Sequence, residues 1–95
     1  MTSKFDSSIP TDLAEVLLKI HAAPHEESNR ILTAFLASLV HPDVVCSLSS
    51  LADLSESDRV LVTSIFARHI MTGRDIELDS ALYTVLLPYL LLPPV

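Results

Sequence analysis

Ninety-five residues make one domain with one core. Hydrophobic residues account for 49% of them and charged ones for 19%, where a soluble domain usually carries about 25% charge. Apolar surface therefore exceeds what a monomer of this size hides easily, and association with a second copy or with another protein is expected. Twelve acidic against six basic side chains leave a net charge of −6, which argues against nucleic acid and anionic membrane as partners, because both are held by Lys and Arg.

Residues 1–10 (MTSKFDSSIP) are polar, with Phe5 and Ile9 alone able to anchor them, and read as a flexible tail ahead of a single helical domain over residues 11–95. Thr11 then caps a first helix in which Leu13, Val16, Leu17 and Ile20 recur at helical spacing, a narrow stripe suited to the outside of a bundle. Ala23-Pro24 ends it, since the residue before a proline is pushed away from helical ψ. Pro24 serves equally as a first-turn residue of a second helix, with Glu26 and Glu27 at the positive end of its dipole. That helix carries no charge over residues 31–40, where Ile31, Leu32, Phe35, Leu36 and Leu39 form a wide buried face ahead of the His41-Pro42 stop. A third, shorter helix opening at Pro42-Asp43 bears Val44, Val45, Leu48 and Leu51. Its β-branched residues and serines weaken it, and a coil or 3₁₀ connection fits as well.

Residues 55–73 (SESDRVLVTSIFARHIMTG) have both ends of a helix written into them. Ser55 is an N-cap, with Asp58 three positions on in an approximate capping box. Gly73, the only glycine, stands where a left-handed residue closes a helix. Acidic Glu56 and Asp58 begin it and basic Arg68 and His69 end it, the order that a helix dipole favours. Between them Val60, Leu61, Val62, Ile65, Phe66, Ala67, Ile70 and Met71 project in almost every direction, which predicts a helix at the centre of the bundle. Arg74-Asp75-Ile76-Glu77-Leu78-Asp79 reads as a linker into a last helix from about Asp79, with Leu78, Ala81, Leu82, Val85, Leu86 and Tyr89 on one side. Pro88 removes the amide that bonds to Thr84, so a kink or an end is expected there, and Pro93-Pro94 stops the chain.

Residues 80–95 (SALYTVLLPYLLLPPV) carry no charge at all. Sixteen helical residues reach only about 24 Å, short of a bilayer core of roughly 30 Å, so a membrane span is not expected. The stretch is either a core helix or a partner-docking surface built on Tyr83, Leu86, Tyr89, Leu90 and Leu92, since aromatic and aliphatic side chains dominate interface cores.

Signals for chemistry are sparse. His21 and His25 have one-face helical spacing, but Pro24 interrupts it and no HExxH motif accompanies them. Adding His41 and Cys46 completes four metal ligands only on paper. Asp75, Glu77 and Asp79 start a calcium-loop pattern that fails at Ser80, where glycine is needed, and at Leu86, where an acid is needed. A single glycine excludes the usual phosphate-cradling loops and the GxSxG elbow. Cys46, the one cysteine, has no adjacent base and reads as a small buried thiol in a reducing compartment. His69 reads as charge complementarity at a helix C-terminus, and Glu26 and Glu27 as a solvated first turn. A helix-turn-helix reading fails because Ser55-Glu56-Ser57-Asp58 puts negative charge where phosphate contacts belong. The acids are also spread evenly along the chain, without the dense stripe of a nucleic-acid mimic.

The expected fold is therefore all-α, a small four- to five-helix bundle with a central apolar helix at about residues 55–72. The expected function is that of a noncatalytic, cytoplasmic interaction module (adaptor, inhibitor, assembly chaperone or accessory subunit), pairing with itself or another protein without cofactor or metal. A small metal-binding protein or enzyme using His21, His25, His41 and Cys46, and an acidic nucleic-acid mimic dependent on Glu56 and Asp58, are the rival readings.

Overall fold

In a computed structural model the protein is described over residues 9–91. The expected tail over residues 1–8, Leu92 and the Pro93-Pro94 stop lie outside the described residues. Five helices follow one another: α1 (Thr11–Ala22), α2 (Glu27–Val40), α3 (Leu48–Ala52), α4 (Glu56–Thr72) and α5 (Ile76–Leu90). The fold is all-α, a small bundle.

Helix α1 starts one residue earlier than its sequence suggests. Pro10 occupies the N-cap position without a side-chain bond, and Thr11 is already helical. Pro10 still accepts from the Ala14 amide at 3.0 Å, and Ile9 packs on the core. Leu13, Val16 and Ile20 are buried while Leu18 faces solvent, the narrow stripe of an outer helix. The helix ends at Ala22 ahead of Pro24, as the proline dictates. Its last carbonyls are then capped from another element: Asn29 of α2, itself buried, donates through Nδ2 to the carbonyls of Lys19 and Ala23, both at 3.0 Å. Pro24 lies in the turn and not in the first turn of α2, which opens at Glu27.

Helix α2 holds the centre. It packs against α1, α3 and α5, and Leu32, Phe35, Leu36, Ala37 and Val40 are all buried, with Ile31 and Leu39 at the core's edge. Helix α4 lies where Ser55 and Gly73 put it, with the Asp58 amide bonded to Ser55 Oγ at 3.2 Å and Gly73 at φ 75°. The expected central place is not its own, however. It packs on α1 and α3, and of its apolar side chains only Val62 and Ile65 are buried. The physical reason is charge: a central position would enclose Arg59 and Arg68 as well as Asp58, whereas residues 31–40 of α2 offer nothing charged to desolvate.

The third helix is shorter than expected. Val44 and Val45 precede it in irregular backbone, and Ser47 caps it by accepting from the Ser50 amide at 3.4 Å. The last helix is longer. Asp75 accepts from the Leu78 amide at 3.1 Å and starts α5 at Ile76, so the alternating stretch is a helix start and not a linker. Pro88 does not end it, because the Leu91 amide resumes the ladder to Leu87 at 3.2 Å. Leu82 and Leu86 lie in the core against α2.

A candidate interaction surface on the outer face of α4

The inner side of α4 is fixed to α1 by charge. Arg68 donates two parallel hydrogen bonds to Asp12, of 2.7 Å to Oδ2 and 2.5 Å to Oδ1, and Ser64 Oγ donates to Oδ2 at 2.6 Å. About two turns further along α1, Lys19 pairs with the buried carboxylate of Asp58. The Arg68 guanidinium holds the Asp12 carboxyl below its ordinary value against the opposing effect of burial, and Asp12 in turn raises Arg68. Between these pairs Val62 and Ile65 enter the core. The inner side of α4 thus sets paired charges beside apolar Val62, Ile65 and half-buried Leu61.

The opposite face is uncovered and carries large apolar side chains beside Glu56, Arg59 and Thr63. Val60 is 63% exposed, Phe66 48%, Ile70 61% and Met71 83%, and Thr63 and Ala67 between them are also exposed. At about 100° per residue, Val60, Thr63, Ala67 and Ile70 share one stripe, roughly 150° around the helix from Val62 and Ile65. Phe66 and Met71 flank it on either side. Exposed apolar residues scattered singly are ordinary, but a stripe along one rigid helix is a contiguous patch of the kind that marks interaction sites.

The residues expected to dock a partner sit elsewhere. Leu86 is fully buried in the chain's own core, and Tyr83, Tyr89 and Leu90 are half-buried against it, while Leu92 lies outside the described residues. Both tyrosines already have neighbours among the candidate metal ligands. The Tyr83 ring stacks on His41 with centroids 4.7 Å apart, and the Tyr89 hydroxyl meets His21 Nδ1 at 2.9 Å. His41 Nδ1 also accepts from the Asp43 amide at 3.1 Å.

His25 and Cys46 border one cleft between α2 and the start of α3, with Glu27 and Arg30. Burial pushes the Cys46 thiol up, away from the thiolate that nucleophilic attack or metal binding requires. Among the described residues no three His, Cys, Asp or Glu side chains are gathered so as to hold a metal ion. A second cleft, of about 680 Å³, lies where the end of α4 meets the start of α5. Leu13, Leu36 and Leu82 line it, and the buried carboxylate of Asp79 in its wall is 3.5 Å from Arg74 Nε.

Among the described residues no helix is long and apolar enough to cross a membrane. The stripe on α4 was missed by sequence reasoning because the helix is apolar nearly all round. Only the Asp12–Arg68 and Lys19–Asp58 pairs reveal which side faces in. The chain matches no protein family, no curated protein and no solved structure.

Proposed function

We propose that this chain is a noncatalytic protein–protein interaction module whose docking surface is the outer face of α4. The observation that carries the reading is the pair of opposed faces on one helix: charged groups turned inward and satisfied, large apolar groups turned outward and uncovered. Folding alone gains nothing from leaving Ile70 and Met71 in water, since fully burying an exposed side chain of this size contributes roughly 1.5–3 kcal/mol. An adaptor, inhibitor, assembly chaperone or accessory subunit recovers that burial on binding. The Ser55 cap and the two ion pairs hold the helix ready, so little ordering entropy is lost. The acids elsewhere keep the free form soluble.

Affinity capture from the native cells, using the wild type beside a Phe66→Ser/Ile70→Glu variant, tests the reading. Proteins held by the wild type, untagged copies of the chain included, are expected to be lost by the variant while its helicity is unchanged. Equal recovery by both would remove α4 as the docking surface.

A further inference from the structure

We infer that the occupant of this face is a second copy of the chain, its α4 laid antiparallel on the first about a twofold axis beside Thr63 and Ala67. The inference rests on the interaction reading above and adds the identity of the partner. Glu56, Val60, Thr63, Ala67 and Ile70 are separated by alternating steps of four and three residues, the spacing that lets two helices mesh side chains along a seam. The same spacing is symmetric about its middle. In an antiparallel pair Val60 of each copy meets Ile70 of the other, and Thr63 meets Ala67, so the large side chains fall at the two ends and the small ones where the helices approach most closely.

Charge selects the same arrangement. Glu56 opens the stripe, and Arg74, largely exposed though 3.5 Å from Asp79 of its own chain, lies just beyond its far end. Antiparallel pairing sets Glu56 of each copy toward Arg74 of the other, and it brings the exposed Arg59 near the last turn of the opposite helix, where free carbonyls favour a cation. Parallel pairing sets Glu56 against Glu56 and Arg74 against Arg74. A twofold contact of this kind is isologous, the commonest geometry of soluble homo-oligomers, and a stripe that complements itself end for end meets its requirement. One helix on one helix buries less than about 1,200 Å² in total, so the dimer is weak and reversible.

The test measures mass in solution across concentration, with helicity checked by circular dichroism. The wild type is expected to pass from monomer to dimer, and Ile70→Glu, a change at an exposed position, to weaken the dimer by about ten-fold or more without loss of helix. Glu56→Arg is expected to weaken it by several-fold, and Glu56→Arg with Arg74→Glu to restore part of that loss. In a Cys46→Ser background, oxidation of a mixture of Thr63→Cys and Ala67→Cys chains should join Thr63→Cys to Ala67→Cys in preference to either with itself. A wild type that stays monomeric at about 1 mM overturns the second-copy inference, as does a dimer indifferent to Ile70→Glu or one cross-linked in parallel register. If the monomeric protein nevertheless loses another captured protein on Phe66→Ser/Ile70→Glu, the interaction reading stands and only the second copy falls. If that capture is also unchanged, both fall.

Discussion

Asp12 and Arg68 lie 56 positions apart in sequence, yet two parallel hydrogen bonds, of 2.7 and 2.5 Å, join them across the seam between the first and fourth helices. With Ser64 donating to the same carboxylate, they fix the rotation of α4 about its own axis. That rotation is what turns Val60, Phe66 and Ile70 outward.

Removing one partner of this pair leaves the other partly buried and unmatched. Arg68→Ala is expected to destabilise the fold by about 1–2 kcal/mol, the range for charge-assisted hydrogen bonds discounted for the exposure of the guanidinium. Chemical denaturation of the wild type and of Arg68→Ala, Asp12→Ala and the double variant gives the coupling directly. A coupling near zero would show that α4 is oriented by Val62 and Ile65 alone.

The same pair makes a prediction in acid. The folded-state pKa of Asp12 is lowered from the ordinary 3.8 by its bonds to Arg68, Ser64 and the Leu13 amide. A depressed carboxylate contributes stability that is fully present above the unfolded value and lost as pH falls through the folded one. The stability difference between wild type and Asp12→Asn should therefore be level from about pH 5 to pH 8 and shrink below about pH 4. Denaturation midpoints followed against pH check this, and a difference that grew in acid would reverse the sign assigned here.

Truncations distinguish the centre of the bundle from its surface. Leu36→Ala removes a fully buried side chain of α2 and is expected to cost about 2–5 kcal/mol, whereas Ile70→Ala on α4 should change monomer stability by less than about 0.5 kcal/mol. Were α4 the central helix, the two costs would be comparable. Thermal or denaturant unfolding at concentrations low enough to hold the protein monomeric makes the comparison.

Asn29 offers a separate test of how α1 ends. Its Nδ2 satisfies two carbonyls at the end of that helix from a buried position. Asn29→Leu removes that donor while each carbonyl keeps a backbone one, from Ala23 and Glu26, and a loss of about 0.5–1.5 kcal/mol is expected, concentrated in the turn between α1 and α2. Amide hydrogen exchange should show residues 19–26 opening first. Uniform destabilisation without local opening would mean that side-chain volume matters at this site and the hydrogen bonds do not.

The lengths of the helices were legible in the sequence wherever a local group sets the end. Ser55 and Gly73 bound α4, and Ala23-Pro24 stops α1, because an N-cap hydroxyl, a glycine at positive φ and a proline act within a few residues of themselves. Asp75 was also a cap in plain view, but the alternation of charge after it imitated an extended segment. The all-α class followed from those local signals and from helical spacing along α1 and α2.

Which side of α4 faces inward was decided only by tertiary structure. Val62 and Ile70 are equally apolar as sequence, and nothing local distinguishes the one that enters the core from the one that meets solvent. The distinction comes from Asp12 and Lys19, on a helix more than 35 positions away, which neutralise Arg68 and Asp58 and so draw the charged side of α4 inward. Long-range packing likewise brings Tyr83 onto His41 and Tyr89 onto His21, contacts that no local pattern announces. Composition fixed a surplus of apolar surface in a chain of 95 residues, but where that surplus emerges depends on long-range charge pairing, because desolvating an unpaired ion costs more than leaving a hydrophobic side chain in water.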